Sequence, residues 1–167
     1  MTPFYLEKEF RGTREHYWRA FFDDACTREQ YDLIGVRAFE VKDRRDDGET
    51  LVRTLRVLPA RDFPAFMRKL FGTSLGFTET TTWYRSEGRA ETRVTPDMMA
   101  ARIDITGTHS VIDTPSGGLA RVFSGQIAIA IPLVGTRIER LVHDDLEKSY
   151  VQSSEITQAW LDRFAAE

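Results

Sequence analysis

The chain has 167 residues, 41% hydrophobic and 29% charged, which suits one soluble domain large enough to bury a core. A net charge of −3, with Lys and Arg dispersed among Asp and Glu, excludes a general electrostatic attraction to nucleic acid. The lone Cys26 can close no internal disulfide and build no cysteine zinc site, which fits a reducing compartment.

Met1 to Glu7 lacks the basic stretch and apolar run of a secretory signal. No window approaches the about 18 uninterrupted apolar residues of a membrane-spanning helix. The longest apolar run, Ile127 to Val134, is too short and contains Pro132. A cytoplasmic place is the expectation, with peripheral membrane contact left open.

Taken in order, Phe4, Leu6, Lys8 and Phe10 alternate with Tyr5, Glu7 and Glu9, which predicts a first strand. Gly12 breaks it, and Thr13 can cap a short helix from Arg14 to Phe22. A second short helix is expected to start at Thr27, with Gln30 at the capping-box position, and to end near Gly35. Strand signals then dominate. Val36 to Arg44 turns at Asp47-Gly48 into Glu49 to Leu58, and Leu75 to Arg85 turns at Ser86-Glu87-Gly88 into Arg89 to Thr95. Ala101 to Thr114 turns at Pro115-Ser116-Gly117-Gly118 into Leu119 to Ile131. About seven strands result, mostly antiparallel hairpin neighbours, with no internal repeat or charged linker, so residues 1–167 read as a single domain.

Between the third and fourth strands, Asp62 and Pro64 are helix-start residues and Gly72 a stop. The short helix carries Phe63, Phe66, Met67, Leu70 and Phe71 beside Arg68 and Lys69. Five large apolar side chains on two turns exceed what a solvent-facing connector needs. The helix reads as a lid that can touch a membrane surface through Phe63, Phe66, Leu70 and Phe71, with Arg68 and Lys69 near anionic headgroups; the plainer alternative packs it on the sheet edge. The last third, Thr136 to Phe164, is one helix of roughly 43 Å at 1.5 Å per residue. Ile138, Val142, Leu146, Ile156, Trp160 and Phe164 share its apolar side, and Ser149 and Ser153 interrupt that side with small polar groups. The gap suggests a pocket floor flanked by Tyr150 and Trp160, or else a shallow contact.

A strand, two short helices, about six antiparallel strands and a long C-terminal helix resemble the START-like helix-grip superfamily over nearly the whole chain. The resemblance is one of element order, and the chain also looks like an uncharacterised bacterial START-like family. Arg53-Thr54-Leu55-Arg56, followed by the helix ending Phe66-Met67-Arg68-Lys69-Leu70-Phe71-Gly72-Thr73, is similar to the strand, lid helix and exit of PRELI-type phospholipid-transfer proteins. The superfamily also includes bacterial polyketide cyclase-like proteins. The resemblance implies an α+β helix-grip fold: a curved sheet of about seven strands around the long helix, with a ligand cavity between them.

Strand alternation assigns faces. Leu51, Arg53, Leu55 and Val57 share one face; Leu75, Phe77, Glu79, Thr81 and Trp83 another. Ile103, Ile105, Gly107, His109 and Val111 form a third, and Phe123, Gly125, Ile127, Ile129 and Ile131 a fourth. These are the more apolar faces and are expected inward. The candidate ligand contacts are therefore Arg53, Leu55, Phe66, Met67, Phe71, Phe77, Glu79, Trp83, Ile105, His109, Phe123, Ile127, Val142, Ser149, Tyr150 and Ser153. Arg53 suits a phosphate or carboxylate headgroup, or an internal pair with Glu79. Gly107 and Gly125 mark bends or open volume.

No catalytic motif emerges. His143-Asp144-Asp145 lies on the long helix, where consecutive residues diverge, so it is weak as a metal cluster. Ser116-Gly117-Gly118 is a hairpin turn, not a nucleophile elbow. The leading expectation is a non-enzymatic carrier of a hydrophobic small molecule, foremost a lipid or phospholipid, with transient membrane contact. It needs no metal or cofactor, and no protein partner is specified. The alternatives are a cyclase-like enzyme using His109, Tyr150 and Arg53, and a filled-core interaction module.

Overall fold

The computed structural model describes residues 1–59, 63–72 and 75–167. In chain order the elements are β1 (Thr2–Phe10), α1 (Arg14–Phe21), α2 (Asp24–Ile34), β2 (Val36–Asp46), β3 (Thr50–Pro59) and α3 (Ala65–Phe71). There follow β4 (Phe77–Tyr84), β5 (Arg89–Pro96), β6 (Ile103–Asp113), β7 (Leu119–Ile129) and α4 (Gly135–Ala165).

Local chemistry accounts for most boundaries. Thr13 Oγ1 accepts the His16 amide at 3.2 Å and starts α1. The expected start of α2 at Thr27 is corrected: Asp23 is the cap, and its Oδ1 accepts from the amides of Ala25 and Cys26 at 2.8 and 3.0 Å. Thr27 lies one turn in and donates its hydroxyl back to Asp23 O. Gln30 makes no capping box; its Nε2 donates to Thr157 Oγ1 of α4 at 2.9 Å. Gly35 ends α2 with φ 80°, a conformation that costs glycine nothing. At the β2–β3 turn, Asp47 Oδ1 accepts from the Glu49 and Thr50 amides. Pro64 opens α3, while the helix start proposed at Asp62 and the Thr73 of the exit motif lie outside the described residues.

The strands form one antiparallel sheet in the order β1-β7-β6-β5-β4-β3-β2. Neighbours from β2 to β7 are successive in sequence, and β1 crosses over to pair with β7, Phe4 opposite Gly125 and Phe10 opposite Leu119. The sheet curves around α4, which is the helix-grip arrangement expected from element order. The helix does not lie centrally in it: α4 packs mainly on β1, β7, α1 and α2.

Among the described residues the core falls into two large clusters, one at each pole, and a small third of Ala20, Cys26 and Phe164. At the α1 end, Phe10, Tyr17, Trp18, Phe22, Leu51, Ala90, Val111, Leu119 and Leu161 form one cluster. At the α3 end, Phe4, Leu6, Met67, Phe71, Ile127, Ile129, Ile131 and Ile138 form another, joined by Tyr150. Glu139 ties the second pole together. It is buried and accepts from Ile129 N and Thr2 Oγ1, each at 2.8 Å, with the Met1 ammonium at 3.1 Å.

Candidate functional site

Directly paired residues of an antiparallel ladder share a face. The β3 residues Leu51, Arg53, Leu55 and Val57 are all buried, and they pair with Trp83, Thr81, Glu79 and Phe77 of β4. The same face continues through Ala90, Thr92 and Val94 to His109, Gly107 and Ile105, and on to Phe123, Gly125 and Ile127. This is the concave face. On it, Phe77, Glu79, Trp83, Ile105, His109 and Phe123 keep part of their surface accessible, although α4 and the short helices lie on that side. The accessible patch falls on β4 to β7, largely on strands that α4 leaves without close cover.

At the α2 corner, Arg53 is only 4% exposed. Its Nη1 donates to Thr27 Oγ1 at 3.2 Å and lies 3.8 Å from Asp24, and its guanidinium carbon sits 5.2 Å from the Phe22 ring. The pair with Glu79 foreseen as one option takes the weaker form of a through-space attraction. Burial raises the Glu79 pKa above the usual carboxylate range, and the Arg53 charge opposes that rise only in part. Burial likewise lowers the Arg53 pKa, with Glu79 and Tyr31 pulling it back. Tyr31, not singled out from the sequence, therefore belongs to this corner.

Further along the face, His109 stacks on Phe123 with ring centroids 3.8 Å apart and meets Phe21 edge-on at 5.0 Å. Burial, with the Arg121 charge adding, pushes its pKa down to about 3, so the imidazole is neutral at physiological pH. Its Nδ1 has no hydrogen-bond partner, and neither has Trp83 Nε1. Trp83 stacks on Trp18 and Phe22 of the α1 plug, with centroids at 5.2 and 5.5 Å. Both atoms are buried, and orphaned polar atoms of this kind are uncommon in folded proteins.

Arg121 was missed by the sequence reading, which began the inward face of the last strand at Phe123. Continuing the same period by two residues reaches it. It is 5% exposed, donates from Nη2 to Ser154 Oγ at 3.0 Å, and lies over the Tyr150 ring at 3.8 Å and the Phe10 ring at 5.0 Å. Tyr150 is buried and donates its hydroxyl to Leu6 O and Arg121 O.

The small polar residues of α4 are displaced from where the stripe predicted. Ser154 and Thr157 are the buried ones; Ser149 and Ser153 are half-buried, and Ser153 donates to Tyr150 O of its own helix. Val142 is half-buried against the α3-end cluster. The volume expected beside Gly107 and Gly125 is taken by aromatic rings and backbone. A Cβ on Gly107 would stand 2.4 Å from Phe123, and one on Gly125 would stand 2.0 Å from Thr106 O and 2.8 Å from Phe4.

Helix α3 buries Met67 and Phe71 in the inner apolar cluster and leaves Phe63, Phe66 and Leu70 half-buried, with Arg68 and Lys69 exposed. Arg137 of α4 lies over the Phe66 ring at 4.2 Å. Nearby, Leu133 is fully exposed with φ 70°. Leu55 and Ile127 are fully buried beneath this end. The structure thus gathers Phe66, Met67, Phe71, Ile105, Phe123, Ile127 and Val142 around one pole. Phe77 and Glu79 lie on the same face at the far side of β4, Arg53 and Trp83 lie toward the other pole, His109 sits between the two against Phe123 and Phe21, and Tyr150 belongs to the α3-end cluster. On the outer side of α4, ligand atoms of His143, Asp144 and Glu147 come within 4.8 Å of one another, a closer group than sequence spacing suggested, with Glu147 in place of Asp145. No described helix is long and apolar enough to cross a membrane.

Residues 6–161 match the model of a family described as a protein of unknown function, DUF2505. An uncharacterised protein of Mycobacterium tuberculosis is 24% identical over 166 residues, covering 95% of each chain. A START superfamily protein from Mycobacterium smegmatis superposes with TM-score 0.60 at 14% identity, covering 97% of this chain and 98% of that one. The Zhui aromatase/cyclase from a Streptomyces species superposes with TM-score 0.63 at 11% identity, covering 97% and 94%. The fold is START-like.

Proposed function

This chain belongs to the DUF2505 family, and we propose that it binds a hydrophobic small molecule, foremost a lipid, between the concave face of the sheet and α4. The observation that carries the reading is the partly accessible concave patch of Phe77, Trp83, Ile105, His109 and Phe123, with the buried Trp83 Nε1 and His109 Nδ1 unpartnered beneath it. A ligand there exchanges water for aromatic and aliphatic surface at about 25 cal/mol per Å2 of apolar area. Helix α3 serves as the gate: its apolar side closes one pole, and its exposed cations suit the anionic surface from which a lipid is taken up or to which it is delivered. The fold is shared with a START superfamily protein and an aromatase/cyclase, which supports a ligand-holding role without choosing the ligand.

A cyclase-like activity centred on His109 is disfavoured on physical grounds. An imidazole whose pKa lies near about 3 is neutral but a poor general base at neutral pH. Native mass spectrometry of the gently purified protein is the test. A retained hydrophobic adduct that organic extraction removes is the expected result. Absence of any adduct, together with no uptake of an environment-sensitive apolar dye, would refute the reading. Transfer between vesicles that is unchanged by Phe66→Asp would refute the gate alone.

A further inference from the structure

Resting on that reading, we propose that the ligand is anionic and that Arg121 is the residue that recognises its charge. Among the described residues two guanidiniums, of Arg53 and Arg121, are buried on the concave side, and they are held differently. Arg53 has Asp24 at 3.8 Å and Thr27 in hydrogen-bond contact. Arg121 has Ser154, two aromatic faces and hydrogen-bond contact with the Tyr17 and Tyr150 phenols, and among the described residues no carboxylate lies within ion-pair distance of it. Its Nε is buried without a partner, as is that of Arg53, so the difference between the two lies in the nearby carboxylate. A charge held in a low-dielectric interior is costly unless an opposite charge compensates it, and aromatic faces with neutral hydroxyls compensate only in part.

The surroundings fit an anion. Tyr17 and Tyr150 place phenols in the field of Arg121, and neutral His109 lies on the same face one step along the sheet. On β7, Arg121 stands between the sealed α1 pole at Leu119 and the lid-side cluster at Ile127. Six residues of strand separate Arg121 from Ile127, roughly 20 Å. An amphiphile entering under α3 would put its acidic oxygens at Arg121 and leave its chain along Phe123, Ile105 and Ile127. Arg121 is thus a specificity residue for a carboxylate or phosphate head on an apolar chain.

The experiment titrates the whole protein by calorimetry with dodecanoate, dodecyl phosphate and dodecanol, which share a chain and differ in head. At least one anionic probe is expected to bind about tenfold or more tightly than dodecanol. Whichever anion wins identifies the carboxylate or the phosphate source. Arg121→Gln should erase that preference while leaving dodecanol affinity near wild type, and Arg121→Lys should keep most of it. Equal wild-type affinities for charged and neutral heads overturn the proposal without touching hydrophobic binding, and they do so even if the Gln variant fails to fold. A preference that survives in folded Arg121→Gln also overturns it. Failure of all three probes removes the hydrophobic-ligand reading and this one together.

Discussion

His109 should make the fold acid-sensitive in a window where few other groups titrate. In the folded protein its ring lies between Phe123 and Phe21, and its pKa is pushed down to about 3; in the unfolded chain it returns to about 6.5. A depressed folded pKa gives stability that is present above the unfolded value and lost as pH falls toward the folded one. Between pH of about 6.5 and about 5, the proton excess of the unfolded chain over the folded protein grows from about half a proton to nearly one. Integrated over that interval the cost is about 1.6 kcal/mol. Urea denaturation of wild type and His109→Gln at the two pH values isolates this contribution, because His16 and His143 are common to both proteins. The variant should lose less stability than wild type by about that amount. Parallel pH dependence in the two would show that the imidazole is hydrated and chargeable in place, which would remove the basis for calling its environment buried.

Gly125→Ala should be more damaging than Gly107→Ala, since its new methyl meets Thr106 O at 2.0 Å, whereas that of Gly107 meets the movable end of Phe123. About 1–3 kcal/mol is expected for Gly107→Ala and more for Gly125→Ala, read from urea midpoints. Glu139→Ala leaves the Ile129 amide without its acceptor and should cost about 1–3 kcal/mol by the same measurement, with Glu139→Gln keeping part of it. For Glu79 the sign runs the other way from His109. Its raised folded pKa gives stability that is full below the carboxylate range and is lost as pH rises through the folded value, so Glu79→Gln should flatten the fall in melting temperature from acid to neutral pH. Leu133→Gly should hold or raise the melting temperature, because a fully exposed side chain at φ 70° contributes strain and no packing.

Much of the fold was legible because alternation and turn chemistry agree. The Asp47-Gly48 turn and the inward faces of β3, β4, β6 and β7 follow from period two alone. The start of α2 was not, because Asp23 and Thr27 both satisfy a cap signature, and the choice depends on which side chain reaches free amides. The inward side of α4 was read as one continuous stripe. The helix instead changes partner along its length, from β1 and β7 to α1 and α2, so Ser154, Thr157 and Leu161 join the expected Ile138, Tyr150 and Phe164 as its buried residues, while Val142, Leu146, Ile156 and Trp160 are half-buried. Those buried hydroxyls are tolerated because Arg121 and Gln30 bond to them, a pairing across 33 and 127 residues of sequence that no local pattern announces. Arg121 itself lay on a readable period, but a charged residue near a strand start is ordinarily assigned to solvent.

The pairing of β1 with β7 has a consequence for how the chain is made. Each neighbouring pair from β2 to β7 is consecutive in sequence, β3 and β4 through α3, and can close as soon as its second strand leaves the ribosome. β1 is complete by Phe10, yet its partner begins at Leu119, and α4 follows later still. Non-local pairings of this kind slow folding, and until they close they leave a strand edge and an apolar face exposed to other chains. β1 therefore cannot take its place in the sheet until β7 has been made. Glu139, which holds Thr2 to α4 and to the end of β7, belongs to that final step.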